Sequence, residues 1–146
     1  MSAVENEIVR AHGDWLIEEV LREWRRLYFI NIMFKPLRGA GTAIDAQMHD
    51  AIVNGFYPQL CKHLERHPGR RGRHKYLPHL FLFPDFPVYK TRKQSLRSVT
   101  LNGGLHYSGV VSISSRARLR EELGDHIWRK QSSYYGADSS SQRIIE

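Results

Sequence analysis

Between Asp14 and Arg26 apolar residues recur at helical spacing. Trp15, Ile17, Val20, Leu21 and Trp24 are interleaved with charges, Glu18 and Glu19 ahead of Arg22, Arg25 and Arg26, an order that suits a helix dipole. The spacing predicts an amphipathic helix that lays its apolar side on the rest of the domain. Leu27 to Phe34 (LYFINIMF) is rich in aromatic and β-branched residues and stops at Pro36 and Gly39, which predicts a buried strand. Thr42 can cap a second helix with Ile44, Met48, Ile52 and Phe56 on its apolar face. Asn54, Gly55 and Pro58 should kink or split it, because proline lacks an amide donor and restricts Tyr57 before it; a second piece then runs through Leu60, Cys61 and Leu64.

Two further apolar runs read as strands. Leu77 to Phe83 ends at Pro84, and Leu105 to Ile113 (LHYSGVVSI) follows the turn residues Asn102, Gly103 and Gly104. Ser114 and Ser115 can cap a last helix, Ala117 to Lys130, with Leu119, Leu123 and Ile127 at i, i+4 and i+8. A closing apolar scrap after the serine-rich stretch predicts an edge strand. The order helix, strand, helix, strand, strand, helix, strand implies an α+β domain whose mostly antiparallel central sheet is covered by helices. The organisation expected is a helical segment over 1–26 and one domain over 27–146.

Length and composition narrow the function classes. The 146 residues are enough for one real core, and 41% hydrophobic with 25% charged residues excludes a disordered or fibrous chain. The single cysteine, Cys61, rules out an internal disulfide and any CxxC site, and reads as a core residue. No basic start followed by a long apolar run appears, so the expected setting is the cytoplasm, with no membrane partner.

Charge changes the picture most. The net charge is +7, yet the stretch from Lys62 to Arg97 holds ten basic residues against Glu65 and Asp85, which leaves the rest of the chain near −1. Concentrated basic charge is the footprint of a phosphate-binding surface, because neutralised phosphates release counterions. Arg70, Arg71, Arg73 and Lys75 in the loop HPGRRGRHK, and Lys90, Arg92, Lys93 and Arg97 further on, are the expected nucleic-acid contacts. His67, His74, Tyr76 and Tyr89 are interleaved with them and can stack on bases. A solvated, solubilising loop is the plainer reading of the same run. The glycines of RGAGT make no phosphate loop, since no GxxxxGK[ST] follows.

On the third strand, His106 and Ser108 share one face and Tyr107 points to the other. Taken alone, such a histidine is more often a satisfied polar group than a ligand, and adjacent tyrosines such as Tyr134 and Tyr135 are more often a packing pair than nucleophiles. The strand nonetheless resembles a motif of the HUH endonucleases, the replication initiators and relaxases that carry His-hydrophobic-His on a central strand. LHYSGVV looks like that motif with serine in the second histidine position, and FINIMFK looks like the family's first-motif strand. The string from PDFP through SLRSVTLNGGLHYSGVV and RARLREEL is similar to bacterial mobile-element and inovirus-type replication proteins.

The resemblance spans 27–146 and implies an HUH/Rep-like, ferredoxin-like sheet that binds single-stranded or origin DNA. It implies Mg²⁺ or Mn²⁺ at His106, with Asp85, His79 or His49 completing the shell beside Ser108. It further implies nicking by Tyr134 or Tyr135, covalently linked to the DNA. Serine is a poor divalent-metal ligand, so the same residues also fit a non-catalytic nucleic-acid-binding or regulatory protein that has lost the metal.

Overall fold

Trp24 ends the first helix. The computed structural model describes residues 3–39, 41–85, 101–134 and 142–145. Helix α1, Ala3–Glu23, begins well before Asp14 and stops where Trp24 takes a φ of 51°, a left-handed conformation that no bulky residue continues. Its ring contacts with the sheet come from His12 and Trp15: the Trp15 ring lies 5.2 Å from Phe81 and 5.5 Å from His79, and His12 lies 6.5 Å from Phe81. The apolar stripe expected to be buried is not. Ile17, Leu21 and Trp24 stay exposed, while the contacts with Phe81 and His79 fall to His12 and Trp15.

Arg25 does what that stripe does not. It is buried, 4% exposed, and its guanidinium donates to Ser112 Oγ at 2.8 Å, Ser112 O at 3.0 Å, Leu77 O at 2.6 Å and Lys75 O at 3.2 Å. A planar fork with five donors can satisfy this ring of acceptors, where lysine could not. One side chain therefore ties the end of α1 to Ser112 and to the Lys75–Leu77 segment.

Four strands follow the interleaved order β2-β3-β1-β4: β1 Arg26–Phe34, β2 His79–Asp85, β3 His106–Ile113 and β4 Gln142–Ile145. Every neighbouring pair is antiparallel, with Asn31 opposite Ser108, Phe83 opposite Ser108, and Asp85 opposite His106. The sheet is the antiparallel one expected from the pattern, and the closing apolar scrap is its edge strand. Gly109 sits where β2 and β3 press together, and a Cβ there would collide with the carbonyl of Phe81.

The pleat divides the residues. One face carries Ile30, Ile32, Phe34, Tyr107, Val111 and Ile113 into the core, where helices α2 (Thr42–Asp50), α3 (Tyr57–Leu64), α4 (Leu123–Arg129) and α5 (Gln131–Tyr134) cover them. Pro58 does not split the second helix. The chain widens into a π-helical stretch, Ala51–Phe56, which passes directly into α3, so the missing amide donor falls in a first turn that tolerates it. Cys61 is buried beneath it as expected.

The last predicted helix is shorter than its periodicity. Ala117 to Glu122 is irregular, and helix begins only at Leu123. Ala117 and Leu119 turn inward onto the core while Arg116, Arg118 and Arg120 stand exposed, a period of two rather than 3.6. The amide of Arg118 donates to Leu64 O at 2.9 Å and pins this segment to the end of α3.

Candidate functional site

Three groups of chemically capable residues lie in different places. The first is on the sheet face away from the core. Asp85 and His106 are cross-strand partners there, with His106 Nε2 3.5 Å from Asp85 Oδ2. Ser108 Oγ donates to Asn31 Oδ1 at 2.7 Å and lies 3.4 Å from Asp85 Oδ2. His106 Nδ1 faces the Gly104 carbonyl at 3.2 Å, which leaves Nε2 on the side of the carboxylate.

The expected site residues His106, Ser108 and Asp85 are thus brought together. His79 and His49 do not join them. His79 lies at the other end of β2, with Nδ1 3.8 Å from Glu19 Oε2, and both histidines line an apolar groove of about 540 Å³ at the β2 edge. Among the described residues no three His, Cys, Asp or Glu side chains cluster as a metal site would require. One imidazole and one carboxylate fall short of the donor sets that hold a catalytic transition metal.

Tyr134 belongs to the opposite side. It is buried, its ring 5.4 Å from Phe56 and 5.0 Å from His63, and its hydroxyl lies 3.0 Å from His126 Nε2. Burial pushes that hydroxyl well above its ordinary range, against ionisation. The sheet stands between Tyr134 in the helical layer and His106 on the opposite face, so the two are not a nucleophile and its metal site. Tyr135, Lys90, Arg92, Lys93 and Arg97 lie outside the described residues.

The second group is the basic end of the sheet, where β1 and β2 begin and β3 ends. Glu65, buried, accepts from the amide of His67 at 3.2 Å and lies 3.7 Å from Arg73, which sets the root of the loop. The loop closes through amides of Arg70 and Arg73 donating to the carbonyls of His67 and Arg70, with Gly72 at a φ of 82°. Glycine supplies that turn without strain. Arg70, Arg71, Arg73 and Lys75 are all exposed.

Around Tyr76 this loop meets a segment that is remote in sequence. Lys75 Nζ is 5.1 Å from the ring centre, Arg116 5.5 Å and Arg73 5.8 Å, and Arg116 also donates to the Tyr76 hydroxyl at 3.0 Å. Desolvation alone would raise that hydroxyl, but Lys75 and Arg116 together hold it below its ordinary value. No protein-family model, curated protein or solved structure matches the chain.

Arg116, Arg118 and Arg120 are the functional candidates that sequence reasoning missed. Their signal was the alternation R-A-R-L-R, which marks one exposed row in irregular or extended chain and was absorbed into a predicted helix. A third group was missed with them. His63 Nδ1 and His126 Nε2 lie 3.0 Å apart beneath the helical layer's surface, and His126 Nδ1 meets Glu121 at 3.2 Å.

Proposed function

We propose that this chain binds a nucleic-acid strand through the basic end of its sheet. The observation that carries the reading is the convergence on Tyr76 of Arg73 and Lys75 from the loop and Arg116 from a segment remote in sequence. A solvated loop needs no such meeting. Clustered cations supply phosphate contacts, and an aromatic ring beside them offers a base a stacking surface. Phe29 and Phe83 add exposed rings on the sheet face away from the core, 68% and 57% exposed. The interleaved strand order is compatible with a ferredoxin-like sheet, and the part of this face that α1 leaves uncovered, beyond His79 and Phe81, is of the kind that serves single-strand recognition in other modules.

The test is a titration of labelled single-stranded DNA at several ionic strengths. Binding should weaken steeply with salt, and Arg70→Ala/Arg71→Ala/Arg73→Ala should lower the slope of log K against log salt by about 2. Salt-independent binding, or no binding at low salt, would sink the proposal.

The contact of His106 with Asp85 and Ser108 favours a second reading, an HUH-type nickase that uses Mg²⁺ or Mn²⁺. His106 and Asp85 are the two donors such a site would start from, one fewer than it needs, and the missing one is at Ser108. Ser108→His restores two imidazoles on one strand face and should raise Mn²⁺ affinity in calorimetry, whereas His106→Ala should abolish it. Equal affinities in all three proteins would remove the metal reading. With Tyr134 buried, Tyr135 is the tyrosine of the pair left to carry a covalent adduct.

A further inference from the structure

A cleft of about 720 Å³ opens between α3, the irregular segment before α4, and α4 with the turn after it. Lys62, Arg118, Arg120 and Lys130 bring four cations to its wall from these three directions, and all four side chains are exposed. One carboxylate lies among them. Glu121 is already engaged, by Arg129 on both oxygens and by His126 Nδ1 at 3.2 Å. Among the described residues no carboxylate forms an ion pair with any of the four cations.

Like charges gathered along a concave wall sum to a positive potential that a multiply charged anion relieves. Arginine forks and lysine ammoniums from several sides suit the oxygens of a tetrahedral dianion better than one planar carboxylate. The volume has room for a whole nucleotide, since pockets for small molecules run from roughly 300 to 1,000 Å³. We propose that this cleft binds a phosphomonoester, presented either by a free nucleotide or by the phosphorylated end of a strand. The cleft is built from residues outside the 66–76 loop, so only the strand-end source rests on the nucleic-acid reading above.

The histidine pair gives the site a readout of its own. His63 faces His126 at 3.0 Å, Tyr134 across 5.0 Å between ring centres, and Ser133 Oγ at 3.4 Å, with Lys130 and Arg118 close enough to act on its charge. Burial first, then His126, Lys130 and Arg118, hold the His63 ring below its ordinary value. A bound dianion cancels the opposition of those cations and makes the charged ring easier to form.

The experiment uses the full chain and two matched pairs: adenosine 5′-monophosphate against adenosine, and a 5′-phosphorylated against a 5′-hydroxyl oligonucleotide. The monophosphate should bind at least about tenfold tighter than the nucleoside, and Lys62→Gln/Lys130→Gln, which alters only exposed side chains, should erase that margin. Saturating monophosphate should also raise the titration midpoint of the His63 ring by NMR. A 5′-phosphate preference among oligonucleotides assigns the strand end, and its absence beside a monophosphate preference assigns a free nucleotide. Arg70→Ala/Arg71→Ala/Arg73→Ala should weaken both oligonucleotides while leaving the monophosphate margin intact, which separates this site from the basic loop. Equal binding within both pairs, or a margin that survives in Lys62→Gln/Lys130→Gln, overturns the proposal.

Discussion

Two histidines are held toward their neutral form in the fold, and acid should therefore weaken it. His63 is held below its ordinary value by burial and by the nearby His126, Lys130 and Arg118, and His79 by burial and by Arg25, with Glu19 and Glu23 opposing. In the unfolded chain both rings titrate near about 6.5. As pH falls through that value the unfolded state takes up protons before the folded state does, so stability is fully present above it and declines below. Urea midpoints at pH 7.5 and 5.5 should therefore fall, and fall less in His63→Gln. Identical declines in the two proteins would remove His63 from the account. None of this was legible in the sequence, where His63 and His126 stand far apart and each looks like an isolated polar residue on a helix. His106 was legible, because the period of two along one strand fixed its companion Ser108; the place of Asp85 was not, because the second strand was expected to end at Pro84 and instead runs on through it to pair Asp85 with His106.

At the scale of the element, strand pairing depends on one absent side chain. Gly109 lies between Ile30 of β1 and Leu82 of β2 in the register, and a Cβ there meets backbone, which cannot rotate aside. Gly109→Ala should cost about 3 kcal/mol, at the upper end of overpacking effects, and appear as a lower urea midpoint with an unchanged slope. A midpoint shift below the error of the measurement would mean that β2 and β3 can separate without loss. Elements defined by their own burial pattern were readable: β1, β3 and the α2–α3 helix all lie where their apolar residues predict. The limits of α1 and α4 were not. Leu119, Leu123 and Ile127 keep helical spacing only by coincidence with a chain that alternates inward and outward until Leu123. In α1 the apolar stripe exceeds what one sheet edge can cover, and the docking falls to Trp15 and to Arg25, a charged residue that no hydrophobic pattern selects.

For the whole molecule, the charge was legible in amount but only partly in place. Counting along the chain located Arg70 to Lys75, while Arg116, Arg118 and Arg120 vanished into a near-neutral average because Glu121, Glu122 and Asp125 follow them. Folding separates what sequence averages. Glu121 turns to Arg129 and His126, Glu122 accepts from Tyr28 at 2.9 Å, and the arginines are left outward at the end where the loop arrives. The interleaved sheet order also bears on how the protein forms. Central strand β1 is made early in the chain, yet both strands that pair with it come late, and the contact of Arg25 with Ser112 spans 87 positions. Closing loops of that size precedes any reward from the ladder, which places folding in the slower range of milliseconds to seconds rather than microseconds. Until β3 arrives, β1 carries the apolar run LYFINIMF with both edges unpaired, and in a cell it is this interval, not the finished fold, that exposes the chain to misassembly.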